Sequence, residues 1–164
     1  MSDYHSQTRR KTLWKAGAWM SGKEVNTDQK GVMITVETTV ERSVEWVWKC
    51  FTDPAHIVKW NFASEDWQCP TAENTLTPGG KFCYRMEAKD GTAGFDFEGT
   101  FDEVEENRHL AFRIGDRAVT VDFLDMGNAT KVTETFEAEN VFSLEIQRGG
   151  WQAILDQFKK HAEQ

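Results

Sequence analysis

The chain has 164 residues, enough for one domain with a proper core, and it is rich in Trp (seven) and Phe (eleven) but poor in Tyr (two). Its net charge of −8 is unevenly spread: residues 1–30 carry six basic and three acidic side chains, the remainder 13 basic and 24 acidic. An acidic body lacks the clustered Lys and Arg that phosphate recognition needs, which argues against nucleic acid as a partner, and no apolar run has the length of a membrane span or the shape of a signal peptide.

Residues 1–30 are polar and basic without a sustained period, and are predicted to form a flexible tail ahead of a domain over residues 31–164. Trp14 and Trp19 are its candidate anchors. Val32, Ile34, Val36, Thr38 and Val40 then alternate with polar residues, the pattern of a half-buried strand. Residues 43–60 read as two helices joined without a loop. Ser43 is expected to cap the first through its hydroxyl, and Val44, Val47, Trp48 and Phe51 share one helical face. Asp53 is expected to cap the second, with Pro54 at its first position.

Residues 67–72 make a weak strand, broken by Pro70. Residues 81–89 alternate as a strand, and Asp90-Gly91 predicts a two-residue hairpin with positive φ at both positions. The next strand, residues 92–104, puts Phe95, Phe97 and Gly99 on one face, with a bulge expected at Gly99. Residues 108–114, 119–123 and 130–138 continue the meander through turns at Gly115-Asp116 and Gly127-Asn128. A long helix over residues 143–162 carries Trp151, Ile154, Leu155, Phe158 and Ala162 on one face. Gly149-Gly150 lies inside it. At about 1 kcal/mol each against Ala, the pair predicts a bend, a break or a close backbone approach. The order predicts an α+β fold: a curved seven-stranded antiparallel sheet around a long C-terminal helix, with two short helices after the first strand.

Cys50, Cys69 and Cys83 are odd in number and share no CxxC spacing, which suits reduced thiols of a cytoplasmic protein. The four histidines stand neither near one another nor near a Cys at ligand spacing, so neither a metal nor a cofactor is expected. There is no G-x-S-x-G nucleophile motif, and no catalytic residue is assigned. Trp60, Phe62, Trp67 and Met86, then Phe95, Phe97 and Phe112, then Trp151 and Leu155 are the candidate walls of a ligand cavity. Arg85, Asp96 and Glu145 are the candidates for orienting a ligand. Asp96 and Glu98 alternate with Phe95 and Phe97. One register turns these acids to solvent, and the other places two carboxylates inside an aromatic cavity.

In order along the chain, Ser43-Val44-Glu45-Trp46-Val47-Trp48, Phe51-Thr52-Asp53-Pro54, His56-Ile57 with Trp60, Pro78-Gly79-Gly80 and Phe95-Asp96-Phe97-Glu98-Gly99 are followed by Thr130-Lys131-Val132-Thr133-Glu134-Thr135-Phe136 and Gly150-Trp151. This series resembles the SRPBCC (START-like, helix-grip) superfamily, and within it the branch named after the activator of the heat-shock-protein-90 ATPase. The resemblance covers about residues 32–160. It implies a helix-grip fold with a cavity between the long helix and the sheet, of the kind relatives use for lipids, sterols and polyketides. The expected function is binding of a small apolar or aromatic molecule there. The alternatives are a chaperone accessory factor stimulating a heat-shock-protein-90-type ATPase, and a cyclase- or dehydratase-like enzyme acting on a polyketide-like substrate.

Overall fold

The computed structural model describes residues 28–164, so Trp14 and Trp19 lie outside the described residues. Alternation of Ile34, Val36 and Val40 with polar residues builds β1 (Met33–Val40) with its apolar side chains turned inward. Helices α1 (Val44–Thr52) and α2 (Pro54–Ile57) follow without a loop. Asp53 ends one and starts the other: its N–H donates to Lys49 O, and its carboxylate accepts the Ala55 N–H at 2.9 Å. Ser43 departs from expectation, because its hydroxyl makes no capping bond. Tertiary contacts fix this corner instead. The Thr130 hydroxyl donates to Arg42 O at 3.0 Å, and the Arg42 guanidinium donates to Glu163 O.

Seven further strands complete one antiparallel sheet: β2 (Trp67–Gln68), β3 (Ala72–Asn74), β4 (Lys81–Ala88), β5 (Gly94–Glu105), β6 (His109–Ile114), β7 (Arg117–Asp125) and β8 (Thr130–Glu137). The order is β1-β8-β7-β6-β5-β4-β2, with β3 also paired to β4. The eighth strand arises at Pro70. Trp67 pairs with Ala88 and Ala72 with Tyr84, so the proline falls in an irregular stretch between two short pieces of one edge. A residue without an N–H is tolerated there and not inside a ladder.

Two local expectations are corrected. Asp90-Gly91 is part of a wider turn, in which Ala88 N–H donates to Ala93 O and only Gly91 has positive φ. The Asp90 carboxylate stabilises it by accepting the Thr92 N–H at 3.0 Å and the Thr92 hydroxyl at 2.6 Å. The bulge of β5 lies between Phe101 and Glu103, not at Gly99. Gly99 answers a different need. A Cβ there would stand 2.0 Å from Arg113 O and 2.8 Å from Phe82 Cζ, so the glycine lets the Phe82 ring lie over the ladder.

Helix α3 (Leu144–Ala162) starts on a Ser143 cap, whose hydroxyl accepts the Ile146 N–H, and runs unbroken through Gly149-Gly150. Packing outweighs the cost of the glycines: Leu155, Phe158 and Ala162 are fully buried in the core with Ile34, Val132 and Phe136. The helix also covers the open edge of β1. Gln152 Nε2 donates to Glu37 O at 3.2 Å, and Lys159 Nζ donates to Thr39 O. At its other end, buried Gln147 donates to Glu139 O and Phe142 O and accepts the Glu139 N–H, closing the β8–α3 connection. Gln29 Nε2 donates to the same two carbonyls from the opposite end of the chain.

Candidate functional site

The inward face of the sheet and the middle of α3 bound a cavity of about 70 Å³. Period-two alternation supplies the floor. Phe82, Tyr84 and Met86 of β4 and Phe95, Phe97 and Phe101 of β5 all point inward. Trp151 and Ile154 of α3 roof it, and Phe51, Trp60 and Asn61 close the side toward the short helices. Nine aromatic side chains line it, so its walls present mostly ring faces and edges.

One wall residue is an acid. Glu134 occupies the inward position of β8 between Val132 and Phe136, directly opposite Val36 of β1 and Val121 of β7. It is 6% exposed. Its carboxyl lines the cavity, and among the described residues no hydrogen bond or charge acts on it beside burial. Burial without a compensating charge pushes its pKa up to about 8, so the group is mostly neutral at pH 7. A second polar group is poorly served: Asn61 Nδ2 is buried without a hydrogen bond of good geometry among the described residues and has only the Cys69 thiol to interact with. Two other polar groups of the wall are engaged. The Thr52 hydroxyl donates to Trp48 O at 2.8 Å, and the Tyr84 oxygen accepts from Asn74 Nδ2 at 3.0 Å.

Of the sequence-derived wall residues, the cavity brings together Trp60, Met86, Phe95, Phe97, Phe112 and Trp151. Trp67 and Phe62 pack behind it, Trp67 in a small cluster with Met86, Ala88 and Phe95. Leu155 is fully buried in the main core. The polar candidates lie elsewhere. Arg85 and Asp96 face each other across β4 and β5 on the outer side of the sheet, 3.5 Å apart and solvated. Their alternation with inward Tyr84, Met86, Phe95 and Phe97 turns them outward, and Glu98 with them. Glu145 is exposed in the first turn of α3. None of the three lines this cavity. Glu134 and Asn61 do, and neither was among the sequence-derived site residues. Glu134 had a signal, since it shares a face with Val132 and Phe136 by simple alternation.

The histidine spacing also proves misleading. His56 of α2 and His161 of α3 meet, with Nδ1 of one 2.9 Å from Nε2 of the other. Buried Cys50 of α1 joins them: one donor atom from each residue lies within 4.8 Å of the others. Burial, then the charges of His56 and Lys59, lower the His161 pKa below the ordinary histidine value. Among the described residues this is the donor set that best suits a borderline ion such as zinc. The Cys50 thiol is itself unreactive, since burial raises it to about 11, and burial does the same to Cys69. All three cysteines are free, and no helix among the described residues is long and apolar enough to cross a membrane.

A family model described as Activator of Hsp90 ATPase homolog 1-like protein matches residues 41–163. Among solved structures, an AHSA1-like protein from Aeromonas hydrophila is 44% identical, with a TM-score of 0.76 over 80% of this chain and 92% of that one. A protein from Cytophaga hutchinsonii is also 44% identical, with a TM-score of 0.70 over 83% of this chain and 93% of its own. A protein from Nitrosomonas europaea, 18% identical, shares the fold at a TM-score of 0.66 over 79% and 92% of the two chains. No curated protein matches in sequence.

Proposed function

The chain belongs to the Activator of Hsp90 ATPase homolog 1-like family, and from that premise we propose that its cavity binds a small apolar or aromatic molecule. The observation that carries this reading is the aromatic-walled cavity with an unpartnered carboxyl in its wall. A protein built only for stability gains nothing from a buried acid without a partner, whereas a ligand site uses a few polar groups among apolar walls to fix orientation. The cavity, at about 70 Å³, holds only a few heavy atoms. Anything larger enters by displacing half-buried Phe97, Trp151 and Ile154, at the end of α3 nearest its two glycines.

The test is a panel of small aromatic and aliphatic compounds followed by 15N–1H shifts and thermal unfolding. Shifts that cluster at Phe97, Glu134 and Trp151 support the reading. A panel that moves none of them, and leaves the melting temperature unchanged, removes it.

The family description supplies a second reading, a chaperone accessory factor. It is favoured by exposed Leu124 and Met126, 59% and 55% accessible at the β7–β8 hairpin, which offer an apolar contact on the outer surface. Stimulation of a cognate chaperone ATPase that is lost in a Leu124→Ser, Met126→Ser variant is the expected result. No stimulation at saturating protein removes it.

A further inference from the structure

We propose that the ligand of this cavity carries a basic nitrogen, held as a cation between the Glu134 carboxylate and the faces of the surrounding aromatic rings. The proposal rests on the reading of the cavity as a ligand site and adds the chemical class of the ligand.

The argument starts from what surrounds Glu134. Val36, Val121, Val132 and Phe136 are its neighbours across and along the sheet, and none can donate a hydrogen bond from its side chain. Among the described residues no cationic side chain lines the cavity, and Tyr84 is the only other titratable group in its wall. Arg85 is on the outer face with Asp96 and Glu87. The fold therefore already bears the cost of removing a carboxyl from water and gives it no counter-charge. A neutral ligand can hydrogen-bond the protonated carboxyl but gives its ionised form no counter-charge. A cationic one supplies that partner, and the pair then sits among apolar walls that weaken the competition from water.

The walls favour the same class. Phe51, Trp60, Phe97 and Trp151 offer ring faces with negative quadrupole density, which attract a cation and not an anion. The Asn61 amide contributes as well. Its Nδ2 has only the weak Cys69 thiol to interact with, and rotation of the amide by half a turn presents its oxygen to a second ligand N–H. At long range, a chain of net charge −8 concentrates small cations around itself.

Three compounds of nearly equal shape separate the possibilities: benzylamine, which is charged at pH 7, benzyl alcohol and toluene. Each is titrated by calorimetry and NMR into the full chain and into Glu134→Gln. The expected result is that benzylamine binds at least tenfold tighter than benzyl alcohol. Because Glu134 is mostly protonated before binding, close to one proton passes to the buffer per benzylamine bound, read from buffers of different ionisation enthalpy. In Glu134→Gln the preference for the amine disappears while the alcohol and toluene still bind, which also shows that the variant is folded. If the alcohol and toluene bind and the amine binds no tighter, the cation proposal falls and the cavity reading stands. The cation proposal falls in the same way if Glu134→Gln keeps the preference for the amine. If none of the three binds, both fall together.

Discussion

Trp151 and Phe136 stack face to face, with ring centroids 4.0 Å apart and planes inclined by 10°. The contact joins the middle of α3 to β8, two residues from Glu134. Trp151 also meets Phe97 of β5 edge-on, at 6.2 Å and 73°. One side chain thus ties the helix to both halves of the sheet while forming the roof of the cavity.

Trp151→Ala removes this roof and both ring contacts. A loss of about 3 kcal/mol is expected, the low end for a large aromatic because Trp151 is only half-buried. Trp151→Phe keeps a ring over Phe136 and should lose less than half as much. Urea unfolding of the two variants checks the pair. Equal losses would mean that the indole acts through something other than its stack.

Gly99→Ala tests the close approach on β5. The new Cβ would meet Arg113 O at 2.0 Å and the Phe82 ring at 2.8 Å, so the backbone of the neighbouring strand must shift. The expected cost is about 2–3 kcal/mol. Gly94→Ala on the same strand is the control. Its Cβ would meet mainly the tip of the Arg85 side chain at 2.5 Å, which can swing into solvent. That cost should stay below about 1 kcal/mol, and chemical denaturation distinguishes the two.

Alternation in the sequence was sufficient for the long strands, because inward Phe, Val and Ile at every second position can be satisfied in only one register. It failed at short range and at long range for different reasons. The 67–74 edge is too brief to show a period, so its two strands merge on reading and separate only at Pro70. Asp90-Gly91 looks like a tight hairpin, but the Asp90–Thr92 side-chain bonds open the turn. Cys50, His56 and His161 are separated by up to 111 positions and meet only because α3 packs back over α1 and α2. Glu134 is the instructive case. Its position between Val132 and Phe136 declares it inward, yet a search of strands for apolar residues passes over the one acid among them. Arg85 and Asp96 were attractive as polar residues beside aromatics, and the same alternation turns them out.

Gln147 holds the β8–α3 connection by three hydrogen bonds, to Glu139 O, Phe142 O and the Glu139 N–H. Gln147→Ala leaves that N–H without its partner in a buried site and leaves the two carbonyls to Gln29 alone. A loss of about 2–3 kcal/mol is expected. Gln29→Ala should cost less, because Gln147 still serves both carbonyls. A combined variant that loses more than the sum would show the two glutamines acting as one clamp, read in a double-mutant cycle.

Glu134 gives stability a pH dependence opposite in sign to that of a salt-bridged acid. Its folded pKa, about 8, lies above the ordinary carboxylate value of 4.5 that the unfolded chain shows. Between these limits the folded state keeps a proton that the unfolded state has released. Stability is therefore fullest below about pH 4.5, so far as this group is concerned, and declines as pH rises, by up to about 1.4 kcal/mol per unit, until Glu134 ionises. Glu134→Gln cannot ionise. The variant should match the parent near pH 5 and exceed it in stability at pH 9. Urea unfolding of both proteins at pH 5, 7 and 9 measures this, and taking the difference between them cancels groups common to both, such as raised Glu139 and lowered His161. A ligand amine that pairs with Glu134 should reverse the trend, because it binds the ionised carboxylate and so stabilises the folded chain most where the free protein is weakest. A parent that loses no more stability than Glu134→Gln between pH 5 and pH 9 would mean that the carboxyl is compensated in the folded chain, by water or by a partner, and is not held neutral by burial.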